Sequence, residues 1–157
     1  MLTKLVSGGQ TGVDRGALDA ALAVAFPYGG WCPEGRKAED GPIPDRYPVQ
    51  ELIGADYRKR TRRNVVDSDG TLVIAFGKPS GRTLATVRTC ERLGKPVLVV
   101  DATRGNAQDV AVQATEFVRI NSIKVLNVAG PRESKQAGAN DFAIQVVHKL
   151  LTIDREP

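Results

Sequence analysis

Several things are scarce in this chain. It has two cysteines, Cys32 and Cys90, in 157 residues, too few for a disulfide framework or a four-ligand zinc set. Aromatic residues make up 5% of it, and none interleaves with its one dense basic cluster, Arg58-Lys59-Arg60 with Arg62-Arg63. A base-stacking platform for nucleic acid is therefore not expected. No apolar run is long enough to cross a bilayer, and no signal peptide is expected after Met1. The expected setting is the cytoplasm, with reduced thiols. Neither sign of charge dominates: the net +4 suits an anionic small ligand but is too diffuse to argue for a polyanion. The single histidine, His148, falls in the last predicted helix, away from every loop discussed below, and is assigned no role.

What the chain does have is a glycine-rich stretch near its start, Ser7-Gly8-Gly9-Gln10-Thr11-Gly12-Val13-Asp14-Arg15. An apolar run, Leu2 to Val6, precedes it. Apolar residues at helical spacing, Leu18, Ala21, Leu22 and Ala25, follow. The pattern reads as strand, glycine loop, helix. The first amides of a helix lack intrahelical partners and carry partial positive charge, so such a junction is a ready anion site. Neither the Walker pattern nor G-x-G-x-x-G is met, and a tight turn without a ligand is the plainer reading.

Further along, residues 33–50 hold Pro33, Pro42, Pro44, Pro48 and the acidic pair Glu39-Asp40. They read as an ordered loop lying over the first glycine loop. Residues 51–68 show weak helical spacing, and their basic cluster reads either as a solvated face or as a rim that attracts an anion. Strands are expected at Thr71–Phe76, Val97–Val100 and Ile123–Val128, with a weak one near Tyr28. Helices are expected from about Thr83 to Leu93, Asn106 to Phe117 and Asn140 to Leu151. The alternation predicts one Rossmann-like domain over residues 1–157, α/β, a doubly wound and mostly parallel sheet of about five strands with helices on both faces. Loops 7–15, 77–83 and 129–134 then leave the same sheet edge and line one crevice.

Six motifs resemble, in order, the family known as putative molybdenum carriers, small Rossmann-like proteins grouped with the lysine-decarboxylase-like nucleotide-handling proteins. They are residues 7–19, Gly29 to Arg36, Ala38 to Pro44, then Tyr57 with Arg60-Thr61 and Asn64-Val65, Ser68 to Thr71, and Leu126 to Ser134. The resemblance spans almost the whole chain. It implies that the ligand is molybdenum cofactor, molybdopterin: a pterin carrying a phosphate and a molybdenum held by two sulfurs. The residues are compatible with that. Phosphate is expected on the amides of Gly9 to Gly12, including Gln10, assisted by Thr11 and Arg15, with Gly8 and Asp14 as further candidate site residues. Further donors come from Gly77, Lys78, Gly81, Arg82 and Thr83. Arg132 is a candidate for a charge-assisted pair with the anion, and Asn127, Gly130, Pro131, Glu133 and Ser134 complete the expected ligand-binding set. Trp31 or Tyr28 is a candidate for stacking on the ring, against simple packing. Arg15 has an alternative as a brace to Asp14, Asp19 or Glu133. No metal-ligand set is expected: Cys32 is a weak candidate, and Cys90 reads as core.

The rival reading is a nucleotide-processing enzyme or a nucleotide sensor. Relatives that cleave the base from a nucleoside monophosphate use P-G-G-x-G-T-x-x-E. The comparable loop here is Gly77 to Thr83, and Thr86 stands where the Glu would be. Asp14, Asp69 and Glu133, expected beside the ligand edge, remain candidate acids, against a structural role in fixing loops. A carrier is favoured over an enzyme, and a homo-oligomer is the expected assembly.

Overall fold

Continuous β-branched runs bounded by glycine and proline form the centre of the protein. In a computed structural model, residues 1–153 are described. The strands are β1 (Lys4–Val6), β2 (Tyr28–Gly29), β3 (Trp31–Pro33), β4 (Lys37–Ala38), β5 (Gly41–Pro42), β6 (Gln50–Leu52), β7 (Gly70–Ala75), β8 (Val97–Asp101) and β9 (Val125–Ala129). The helices are α1 (Val13–Ala23), α2 (Tyr57–Val66), α3 (Gly81–Arg92), α4 (Ala107–Ile120) and α5 (Ala139–Thr152). Five strands make one sheet in the order β2-β1-β9-β7-β8, and every pairing in it is parallel. All six residues of β7 are buried, as a strand covered on both faces requires. Helices α1, α4 and α5 pack together, and α2 packs with α3 on the opposite face.

The core is aliphatic. Leu5, Leu18, Leu72, Ile74, Leu126 and Val128 are fully buried, and each such side chain contributes about 1.5–3 kcal/mol relative to exposure. Gly16 of α1 lies under α5, where an added Cβ would come 2.6 Å from the Asn140 carbonyl oxygen.

Three details differ from the sequence reading. Helix α1 starts at Val13, inside the glycine motif, because Gly12 turns the chain and the Val13 amide donates to the Pro131 carbonyl at 3.1 Å. Residues 33–50 are ordered, but they are not plain loop: β4 and β5 form a small antiparallel hairpin, and β6 pairs in parallel with β3. Residues 51–56 are not helical. α2 begins at Tyr57, after Asp56 accepts the amides of Arg58 and Lys59.

The topology fixes where a ligand can sit. β1 leads through α1 to β2 on one side, β7 leads through α3 to β8 on the other, and β9 lies between. The loops leaving β1, β7 and β9 therefore emerge together at the carboxyl edge, where the winding direction switches.

Candidate functional site

The first glycine loop is closed. A Cβ on Gly12 would overlap the Pro131 carbonyl oxygen and come 2.7 Å from the Glu133 amide nitrogen. Gly12 also has φ 77° and ψ −129°, a backbone region that is essentially glycine-only. Ile43 covers Gly9, with its Cδ1 2.8 Å from where a Cβ would stand. The Arg60 guanidinium lies on Gly8. The Thr11 amide is already engaged by the Gln10 side chain at 3.0 Å, and that same oxygen accepts the Glu39 amide at 2.9 Å.

The acidic pair ties the cover down. Asp40 takes both ends of the Arg15 guanidinium, one of them at 3.0 Å, while Arg15 Nη2 also donates to the Gly9 carbonyl at 3.1 Å. Arg15 thus braces the loop, through Asp40 and not through Asp14, Asp19 or Glu133. Its hydrogen bonds hold the Asp40 carboxyl below the usual carboxylate range. Glu39 accepts from the Thr11 hydroxyl, from the Ser134 hydroxyl at 2.5 Å and its amide at 3.2 Å, and faces Arg132 at 3.2 Å. Burial pushes its carboxyl up, but the Ser134 and Thr11 hydrogen bonds outweigh that and hold it low. Glu39 thereby clasps the first and third loops together.

Beneath the first loop lies a buried ion pair. Asp14 and Arg60 meet at 3.3 Å, with side chains 7% and 11% exposed. Burial pushes the Asp14 carboxyl above its ordinary value, and Arg60 and the Gln10 amide only partly offset it. Arg60 Nε has no hydrogen-bond partner among the described residues. Arg60 comes from α2 because that helix turns Asn64 and Val65 inward, and Arg60 stands one turn before them on the same face.

The second glycine loop is open. Gly77 has φ 83° with nothing within 4 Å of an added Cβ. Its amide donates to Asp101 Oδ1 at 2.8 Å, and Asp101 also accepts the Thr103 hydroxyl and amide, so the end of β8 holds the loop in place. Ser80, the N-cap of α3, makes no side-chain cap, and the helix N-terminus faces a cleft. That cleft encloses about 190 Å³. Lys78, Arg82, Arg60, Arg132 and Lys135 supply five cations to its lining, and no carboxylate lines it. Gln10, Phe76, Thr83, Pro131 and Gln136 are among the residues that contribute the rest of its surface. Lys78 and Lys135 have no ion-pair partner among the described residues. A dipole terminus and uncompensated cations around one hollow favour an anion.

The structure thus brings Gln10, Arg82, Thr83, Pro131 and Arg132 to one cleft. Gly77 and Gly81 shape its second loop. Gly8, Gly9, Thr11, Gly12, Asp14 and Arg15 do not line it. Gly130 is packed under the Ile74 carbonyl, 2.5 Å from an added Cβ. Glu133 caps α5, accepting the Gly138 and Asn140 amides at 2.8 Å each. Ser134 serves the Glu39 clasp. Asn127 is inside the sheet, donating to the Thr71 hydroxyl at 3.2 Å.

Two residues lie elsewhere. Asp69 precedes β7 at the amino edge, not beside the ligand edge as expected, and accepts the Lys124 and Val125 amides at 3.0 and 2.8 Å. Trp31 is held by Asp67 at 2.8 Å through its indole N–H and by Arg63 over its ring at 4.7 Å. It lines a separate hollow with Lys4 and Val125, away from the cleft. Tyr28 lines that hollow too. The residues the motifs understated are Arg60, Lys78 and Lys135, the cations of the cleft. Lys78 is signalled by its glycine loop, Arg60 by the basic cluster and the Arg60-Thr61 motif, and Lys135 by nothing.

Cys32 and Cys90 are both buried free thiols, and burial raises the pKa of each. No group of three or more His, Cys, Asp or Glu among the described residues is placed to hold a metal. No helix among them is long and apolar enough to cross a membrane.

Comparison with known proteins agrees with this fold. Residues 5–151 match the model of the circularly permutated YpsA SLOG family. No curated protein matches the chain. A crystal structure described as a putative molybdenum carrier protein from Syntrophus aciditrophicus SB is 43% identical. The match covers 96% of this chain and 95% of that one, with a TM-score of 0.93.

Proposed function

The chain belongs to the circularly permutated YpsA SLOG family and to the proteins named putative molybdenum carriers, and from that premise we propose that it holds a phosphorylated pterin, molybdenum cofactor, as cargo in the cleft at the start of α3. One observation carries the reading: five cations and no carboxylate line that cleft. The phosphate of the cargo sits at the α3 N-terminus between Lys78, Arg82 and Lys135. The ring lies against Phe76 and the Arg82 guanidinium, which itself stacks on Tyr57 at 3.7 Å from the ring centroid. No thiol lines the cleft, so a molybdenum arrives with the sulfur ligands of its own pterin.

The same observation speaks against a hydrolase. General acid–base chemistry needs a titratable group within reach of the reacting atom. Thr86, at the position of the related Glu, is buried and spends its hydroxyl on the Arg82 carbonyl at 3.2 Å. Asp14 lies beneath Arg60, and Glu39 is consumed by its clasp.

The test is equilibrium binding of molybdopterin and of AMP to the purified chain, with chromatography of the AMP afterwards. Retention of molybdopterin with intact AMP is the expected result. Binding of AMP with indifference to molybdopterin overturns the carrier reading, and release of adenine establishes an enzyme.

A further inference from the structure

A second cavity adjoins the cleft. It lies between α2 and α3 and encloses about 430 Å³. Arg58 from α2 and Arg82, Arg88 and Arg92 from α3 all line it. Its one carboxylate, Asp56, is occupied at the N-terminus of α2, where Oδ1 accepts two amides at 3.1 Å. No carboxylate pairs with any of the four arginines among the described residues. Arg92 reaches only the Thr89 hydroxyl, at 3.3 Å. Arg88 and Arg92 are four apart on one helix, a spacing at which like charges repel and destabilise. The fold carries that repulsion without an internal counter-charge.

Arg82 lines both cavities. Its guanidinium is set between them by Tyr57, whose ring lies under Arg82 on one side and within 5.8 Å of Arg60. The cleft alone, at about 190 Å³, is smaller than the roughly 300–1,000 Å³ of small-molecule sites. With the groove it reaches that range.

We infer that cleft and groove form one elongated site for a ligand with two separated anionic groups, the first at Lys78 and Lys135 and the second at Arg88 and Arg92. This rests on the proposed cleft and extends its ligand class: a cargo that carries a second anionic group beyond the phosphate held at the N-terminus of α3. Arg58 flanks the second anion, and Arg82 neutralises the span between the two.

Amide NMR titrations of the full chain with hexyl phosphate and with 1,6-hexanediyl bisphosphate test it. Both compounds are expected to shift the amides of residues 77–83 and Lys135. The bisphosphate is expected also to shift residues 84–92 and to bind about tenfold more tightly, the gain of one further charge-assisted contact. Arg88→Ala/Arg92→Ala, at two exposed positions, removes that gain and leaves hexyl phosphate binding unchanged. Equal affinity of the two compounds with a silent groove overturns the inference while leaving the cleft standing. So does a gain that survives the double variant. If neither compound shifts residues 77–83, the cleft reading falls and this inference with it.

Discussion

Two glycine loops leave the same edge of the same sheet, and they do opposite things. In the loop of residues 7–12, glycines admit neighbouring groups: the Pro131–Glu133 backbone at Gly12, Ile43 at Gly9, Arg60 at Gly8. In the loop of residues 76–80, Gly77 meets nothing within 4 Å, and the space before it is lined by cations. A strand–glycine–helix pattern therefore does not by itself mark a ligand cradle. What occupies the place of the missing side chain decides whether the glycine serves packing or binding.

Paired substitutions break or sharpen that contrast. Gly12→Ala sets a Cβ against backbone and adds backbone strain of about 1–3 kcal/mol. With overpacking of a further 1–3 kcal/mol or so, a loss of about 4 kcal/mol is expected in urea unfolding. Gly77→Ala bears only the cost of its positive φ, about 1–2 kcal/mol. Equal losses would mean that the two loops are equally confined.

Arg60→Met comes next. It leaves Asp14 buried without its cation, at a cost of about 3 kcal/mol near neutral pH. The sign with pH follows from the direction of the shift. Asp14 has a folded value above its unfolded one, so its favourable contribution is present below the unfolded value and is lost as pH rises through the folded value. Removing Arg60 raises the folded value further. The variant's deficit should therefore shrink on acidification, by unfolding measured from pH 7 down to pH 4, and a deficit independent of pH would contradict the pairing.

Lys78→Ala/Lys135→Ala tests the open loop. Both side chains are exposed, so stability should change by less than about 0.5 kcal/mol. Affinity for phosphate or AMP should fall at least tenfold, about 1.4 kcal/mol. The smallest effect is expected from Asp40→Asn, which loosens the clamp on Arg15. Asp40 is half exposed, so the loss is about 1 kcal/mol. The Arg15 hydrogen bonds lower its folded value. That stability is present above the unfolded value and is lost as pH falls through the folded one, so the variant should match the parent chain in acid.

The sheet was legible because Thr71–Phe76, Val97–Val100 and Ile123–Val128 are apolar runs punctuated by Gly, Pro and Asp. The five helices and the shared edge of three loops followed from their alternation. The pieces at 31–52 were not, since strands of two or three residues carry no period to read. The cleft was half legible. Lys78, Arg82 and Thr83 stood in a recognisable loop. Arg60 was one of five basic residues on a helix, and which of them turns inward is set by the burial of Asn64 and Val65 across the interface with β3. Glu39 and Asp40 read only as an acidic pair in an ordered loop, because their partners Ser134 and Arg15 are 95 and 25 residues away.

The most direct test is an anomalous difference map from a crystal soaked in tungstate, a tetrahedral stand-in for phosphate. The account predicts a peak at the N-terminus of α3, between Lys78, Arg82 and Lys135. A peak seated on Gly8 to Gly12, with Arg60 displaced from Asp14, would contradict it.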